Sequence, residues 1–234
     1  IHLGGKESLE DTARVLGRMF SAIQFRGYKQ KTVETLAEFS GVPVYNGLTD
    51  DFHPTQALAD FLTLEENFGA VKGRTLCYVG DGRNNVARSL MITCAKLGTH
   101  FTVITPGELN PDDELRQKCA SLASASGSVI TVTPNIGAVK GADALYTDVW
   151  ISMGEESKKE ERLRLLSPYQ VNKKIMDMTG KRESIFLHCL PAVKGEEVAA
   201  DVIDGPQSRA WDEAENRKHT IKAVMLATLL KNIR

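Results

Sequence analysis

From Gly73 onward the sequence alternates short β-rich runs with helical patterns, and this rhythm limits the fold more than any other feature. Strands are predicted at 75–79, 100–105, 129–132, 144–147 and 184–187. Helical patterns at 84–97 and 112–125, a short helix near 136–140, and a polar stretch with helices through 178 separate them. Such repetition predicts an α/β fold with a parallel sheet, because parallel neighbours need a long crossover between them. The first third is less regular. Ser8 and Asp11 have capping-box spacing ahead of Ala13, Val15, Leu16 and Met19, which fall at helical intervals. A strand end is predicted near 22–25, a helix at 32–40 and a short strand at 42–45. A longer helix at 57–68 has Pro54 in its first turn, where a missing N–H is harmless, and could link two lobes. A C-terminal helix at 213–230 places Ile221, Val224, Met225 and Leu229 on one face.

Composition narrows the functional classes. The 29 basic and 30 acidic residues give a formal net charge of -1, so nothing electrostatic favours nucleic acid or an acidic membrane surface. No apolar run is long enough to span a bilayer, and no signal peptide is visible. Cys77, Cys94, Cys119 and Cys189 are scattered without C-x-x-C spacing, which argues against a disulfide framework or a zinc site and fits reduced thiols in the cytoplasm. No metal ligand set is predicted. The chain opens on Ile1 and enters a helical pattern almost at once, and it is read as a fragment of a longer protein.

Three predicted strands end in polar or reactive sequences: Gly80-Asp81-Gly82-Arg83-Asn84-Asn85, Asp148-Val149-Trp150-Ile151-Ser152-Met153-Gly154, and His188-Cys189-Leu190-Pro191. Ligands of open α/β sheets bind beyond the carboxyl ends of strands, so one geometric rule gathers all three. Each also has a plain structural reading. Gly80-Asp81-Gly82 is equally a tight turn, and Asn85 replaces the third glycine of a dinucleotide fingerprint, which weakens a nicotinamide reading. Asp148 is either a helix cap or a carboxylate aimed at a ligand ammonium group. Ser152, Met153 and Gly154 could offer a hydroxyl and N–H groups to a carboxylate, and with Asp148 would suit an amino-acid head group. Cys189 is either core or crevice, while strand alternation turns His188 the other way. His53, before Pro54 at a helix N-terminus, is a loop histidine or part of an anion site shared with Gln56 one turn on. Arg26, Arg217 and the charge cluster at 158–164 read singly as solvated surface.

Taken together, Phe52-His-Pro-Thr-Gln56-Ala-Leu-Ala-Asp60, Asp148-x-x-x-Ser152-Met-Gly154, His188-Cys-Leu-Pro191 and Ala214-Glu-Asn-Arg217 resemble the ornithine carbamoyltransferases, in order and across essentially the whole chain. The Ser-Met-Gly and His-Cys-Leu-Pro elements are specific to the ornithine enzymes; the His-Pro-x-Gln element is shared with the aspartate enzymes. The resemblance implies two domains, each a parallel β-sheet flanked by helices. Residues 1–54 would be the C-terminal part of a carbamoyl-phosphate-binding domain, 55–69 an interdomain helix, 70–212 an ornithine-binding domain, and 213–234 a helix returning to the first domain. It also implies carbamoyl transfer from carbamoyl phosphate to the side-chain amine of ornithine, without cofactor or metal, in a cytoplasmic homotrimer or multiple of trimers, within arginine metabolism. By motif, Arg26, His53, Cys189 and Arg217 would be catalytic. Arg26, His53, Gln56, Cys189, Leu190 and Arg217 would hold carbamoyl phosphate, and Asn85, Asp148, Ser152 and Met153 would hold ornithine. One departure stands out: the family's Ser-Thr-Arg-Thr-Arg phosphate loop does not occur in this sequence, so the first domain is expected to be incomplete and the chain alone weakly active or inactive. The alternatives are a non-catalytic ornithine-binding fragment and a carbamoyltransferase for putrescine or another amine.

Overall fold

The computed structural model describes residues 7–151 and 156–230. These residues form two parallel sheets flanked by helices, an α/β architecture. The first part of the chain runs α1 (Leu9–Met19), β1 (Ile23–Arg26), α2 (Gln30–Ser40) and β2 (Val44–Leu48). β1 and β2 pair in parallel, with Arg26 opposite Leu48. Helix α3 (Pro54–Phe68) then leads into β3 (Thr75–Val79), α4 (Asn85–Leu97), β4 (His100–Ile104), α5 (Asp113–Ser126) and β5 (Ile130–Thr133). A 3-10 turn at Ile136–Val139 brings the chain to β6 (Ala144–Tyr146). Beyond it lie α6 (Lys159–Leu166), α7 (Lys173–Met178), β7 (Ile185–Leu187), α8 (Ala200–Ile203) and the long α9 (Ala210–Leu229).

The larger sheet has the order β5-β4-β3-β6-β7, with every neighbouring pair parallel. Alternation along the strands divides its core. Leu76 and Tyr78 of β3, with Phe101, Val103 and Tyr146, face Leu90, Met91 and Cys94 of α4 and Phe61 and Leu64 of α3. Cys77 and Val79, with Ile104, Leu145 and Phe186, face the opposite layer around Leu166, Ile175, Val202 and Ile203. Both faces are therefore covered, as parallel sheets require.

Helix ends follow local chemistry. Ser8 accepts from Asp11 N, Asn84 accepts from Val86 N and Ala87 N, and Asp112 accepts from Leu115 N, each satisfying an N-terminal N–H. Helix α4 ends at Gly98 in the left-handed region (φ 77°), which glycine adopts without steric cost. Helix α9 starts at Ala210, earlier than the predicted 213, and packs along α3. Its far end reaches the small sheet, where the hydroxyls of Tyr45 and Thr228 lie 2.6 Å apart. Of the face predicted on α9, Ile221, Val224 and Leu229 are half-buried, but Met225 is exposed. The charge cluster at 158–164 also departs from expectation: Arg162 is buried, its Nη1 3.8 Å from Asp81.

Helices α1 and α2 cross at Gly17, where an added Cβ would lie 1.7 Å from the carbonyl oxygen of Ser40. Gly17→Ala should thus destabilise the protein by about 1–3 kcal/mol through overpacking, although alanine is the better helix former. Urea denaturation checks this; an equal or higher midpoint would mean that the helices do not meet as described.

Candidate active site

In the order β5-β4-β3-β6-β7 the chain moves outward from β3 to β5 and then crosses back to lie beside β3 on its other side. The crossover loops diverge at the carboxyl ends of β3 and β6, which opens a crevice there. A cavity of about 330 Å³ occupies this place. One wall comes from the tips of β3, β6 and β7 and carries Asn84, Asn85, Asp148, Cys189 and Leu190. The other comes from the end of β1, the end of β2, the start of α3 and α9, and carries Arg26, Leu48, His53 and Arg217.

On the sheet wall, Asp148 is buried and its carboxylate is held by three donors. Asn84 Nδ2 donates to Oδ2 at 3.0 Å, while Val149 N and Cys189 Sγ donate to Oδ1 at 2.8 Å and 3.1 Å. Asn84 thus has two tasks, capping α4 through its oxygen and orienting Asp148 through its nitrogen. The Cys189 thiol is pushed well above its ordinary pKa, first by burial and then by the Asp148 charge, so it remains an S–H donor. Leu190 is a non-glycine residue in the left-handed region (φ 57°). Such a conformation persists only when its surroundings fix it. Here the Leu190 N–H donates to His188 Nδ1 at 2.9 Å, and His188 Nε2 lies 3.2 Å from Glu197 Oε1, which also accepts from Val193 N. The buried His188 therefore shapes the turn that presents Cys189 and does not reach the cavity. Asp148, His188 and Cys189 offer ligand atoms within 4.8 Å of one another. Both imidazole nitrogens are already engaged, so a metal would have to displace one of these contacts.

On the opposite wall, His53 caps the start of α3 and is buried, with its pKa lowered to about 3 by burial, then by Arg217 and Arg26. It is a neutral imidazole at physiological pH. Its backbone N donates to Ser89 Oγ at 2.7 Å, and Asn85 Nδ2 donates to Thr49 O at 2.7 Å, so the loop before α3 is fastened to α4. Arg88 adds to this, with Nε donating to Asp51 O and the guanidinium lying over the Phe52 ring while paired with Asp112. Arg217 Nη1 donates to Gln56 Oε1 at 2.6 Å and lies 3.5 Å from His53 Nε2. Arg217 Nε is buried without a hydrogen-bond partner among the described residues. Such a donor is costly to leave unmade.

The residues expected from sequence are thus distributed as follows. Arg26, His53, Asn85, Asp148, Cys189, Leu190 and Arg217 line one cavity. Gln56 does not line it; the residue is buried behind Arg217, with Nε2 donating to Asp60 Oδ1 and Glu213 Oε1. Ser152 and Met153 lie outside the described residues. Sequence reasoning passed over Asn84 as a site residue, and also Leu48, Asp60 and Glu213. The last two carried a usable signal: Gln56 and Asp60, like Glu213 and Arg217, are spaced i, i+4 and so share a helix face.

A cavity at a sheet switch point, with guanidinium groups on one wall and a fixed carboxylate on the other, defines a site for a small ligand bearing both charges. Comparison with known proteins gives the class. The family model "Aspartate/ornithine carbamoyltransferase, carbamoyl-P binding domain" matches residues 1–66, and "Aspartate/ornithine carbamoyltransferase, Asp/Orn binding domain" matches residues 72–228. An ornithine carbamoyltransferase of Thermotoga petrophila is 66% identical over 231 residues, covering 98% of this chain and 74% of that protein. The solved structure of the Pyrococcus furiosus ornithine carbamoyltransferase superposes with a TM-score of 0.92 at 48% identity, covering 100% of this chain and 74% of that one. The anabolic enzyme of Campylobacter jejuni gives a TM-score of 0.92 at 32% identity, covering 100% of this chain and 77% of that one. The chain belongs to the ornithine carbamoyltransferase family.

The depressed His53 pKa has a consequence for acid stability. The folded value, about 3, lies below the ordinary 6.5, so folding disfavours the protonated ring. The stability associated with a neutral His53 is present above pH 6.5 and is lost as pH falls toward 3. Imidazole NMR of the folded protein should show no titration of His53 between pH 5 and 8; a midpoint near 6.5 would contradict its burial between the two arginines.

Proposed function

We propose that this protein transfers the carbamoyl group of carbamoyl phosphate to the side-chain amine of L-ornithine, giving L-citrulline and phosphate. The observation that carries the reading is the division of one cavity into a guanidinium wall and a carboxylate wall. Arg26, His53 and Arg217 serve the anionic carbamoyl donor from the cavity wall. Asp148 takes the α-ammonium group of ornithine, and Asn85, Ser152 and Met153 complete the amino-acid subsite. Cys189 and Leu190 lie where donor and acceptor meet. Gln56 acts from behind the wall, through Arg217.

The reaction forms a C–N bond between the neutral side-chain amine and the carbonyl carbon and breaks the C–O bond to phosphate. The amine proton leaves with the departing phosphate. No covalent enzyme intermediate is required, and a thiol held protonated against Asp148 is a poor nucleophile. The protein's contribution is to hold two reactants in register and to place positive charge where the oxyanion develops. His53, neutral, offers a hydrogen bond there without competing for the amine proton.

The same reading assigns residues 1–54 to the carbamoyl-phosphate half, α3 to the link, 70–212 to the ornithine half and the last helix to the return. It places the enzyme in the cytoplasm, in arginine metabolism, and in trimers or multiples of trimers. No described helix is long and apolar enough to cross a membrane.

Asp148→Asn in the full-length protein should raise the KM for ornithine about tenfold or more, since a charge-assisted contact to a buried group is lost, and should change kcat less. Steady-state citrulline formation, run in parallel with putrescine as acceptor, tests this. Unchanged ornithine kinetics, or putrescine as the better substrate, would defeat the reading. Mass spectrometry of rapidly quenched enzyme should find no carbamoyl group on Cys189.

A further inference from the structure

Behind the guanidinium wall lies a cluster of ionisable groups that does not line the cavity. Asp60, on α3, and Glu213, on α9, are both fully buried. Gln56 Nε2 donates to Asp60 Oδ1 at 2.8 Å and to Glu213 Oε1 at 2.7 Å, so both hydrogens of one amide are divided between two carboxyls. That arrangement fixes which way the amide faces: Oε1 must point the other way, and there it accepts from Arg217 Nη1 at 2.6 Å. Glu213 is itself held by Tyr146 from β6, whose hydroxyl donates to Oε1 at 3.0 Å, and by the backbone N of His188, which donates to Oε2 at 2.9 Å. The cluster thus joins α3, α9, β6 and the β7 turn beneath the cavity.

We propose that Asp60 and Glu213 are positioning residues, whose carboxyls orient the Gln56 amide so that its oxygen holds the Arg217 guanidinium in the cavity wall. This rests on the reading of the cavity as the carbamoyl-transfer site. The carboxyl pair suits the task because each member presents an oxygen to the Gln56 NH2 group, whereas the flipped amide would turn that NH2 toward Arg217 and leave the guanidinium without its acceptor. The electrostatics are consistent. Burial raises the pKa of Asp60 to about 7 and that of Glu213 well above its ordinary value, and Asp60 further opposes ionisation of Glu213. The buried pair therefore favours holding a proton, while the positive charge of Arg217 favours ionisation of Asp60. The other ionisable groups facing it are Tyr146 on β6, Cys94 on α4 and Cys189 beyond β7, all raised by burial and all neutral. Arg217 is the cation acting on the pair.

The test uses Glu213→Gln, Asp60→Leu and Asp60→Asn in the full-length protein, read in two ways. The first is the 1H–15N signal of the Arg217 Nε group, which reports guanidinium position without turnover. It should shift or broaden in Glu213→Gln and Asp60→Leu, and return toward its native place in Asp60→Asn, whose amide oxygen still accepts from Gln56. The second is steady-state kinetics: kcat should fall about tenfold or more in Glu213→Gln and Asp60→Leu, with the ornithine KM within about threefold, because a misplaced group far from the amino-acid subsite costs rate more than binding. Where Glu213→Gln does not fold, Tyr146→Phe removes only the hydroxyl donor and should move the same signal in the same direction by less. An Arg217 signal that stays in place in Glu213→Gln, or that moves equally in Asp60→Leu and Asp60→Asn, overturns the inference. If the unmodified protein forms no citrulline, the functional reading fails, and the Arg217 signal still decides whether the pair orients the guanidinium.

Discussion

The site depends on where the chain reverses its march across the parallel sheet. Parallel strands need crossovers, and crossovers on both faces bury both surfaces of β3 and β6. Charged side chains are thereby left to the strand ends. At the junction of β3 and β6 two successive crossovers depart in opposite directions, so the loops cannot close over the gap between them. Asn84, Asp148 and Cys189 fill that gap, and each hydrogen bond among them spans residues distant in sequence. The carboxylate is thereby anchored to elements whose relative position is fixed by sheet hydrogen bonding, and its orientation does not rely on loop rigidity.

A second constraint comes from the close packing of α3 on α9. An α9 that starts beside the β7 turn and ends at β2 ties the two sheets together along the length of α3. Polar residues at this interface are expensive unless fully paired. Asn216 donates to Thr63 Oγ1 and Glu66 Oε2 about one turn beyond Asp60 and Glu213, so the interface carries a row of matched polar groups and not a plain apolar seam. Such a row specifies register between the helices, and register determines where Arg217 projects.

Much of this was readable from the sequence, for identifiable reasons. The strands from Thr75 to Leu187 were visible because doubly covered strands are continuous apolar runs, and their polar tips stood out by contrast. Asp148 and Cys189 could be placed by the general rule for strand ends. His53 was legible from the proline after it. The pairing of Asn84 with Asp148 was not, because adjacent asparagines at a helix start look alike until the cap is known, and only one of the two can be the cap. The position of Gln56 was not, since helical spacing gives a face but not which of two layers the face meets. Arg162 misled for a related reason: a run of charges reads as solvated, and nothing local announces that Asp81, on another strand tip, reaches one member of it.

The two walls also differ in how their charge is held, and this bears on their roles. Asp148 is surrounded by donors on both oxygens, which leaves it rigid and committed to being an acceptor. A group so fixed suits recognition of a cation whose position does not change during reaction. Arg217, by contrast, makes its strong contact through one nitrogen to Gln56, and among the described residues its buried Nε has no hydrogen-bond partner. On the proposed function, the Arg217 guanidinium beside a neutral histidine in the cavity wall suits a developing negative charge, because stabilising hydrogen bonds count most when they strengthen as that charge appears. On the proposed function, binding falls to the sheet wall and charge stabilisation to the helical wall, with the half-buried Cys189 thiol, held protonated beside Asp148, forming the uncharged boundary between them.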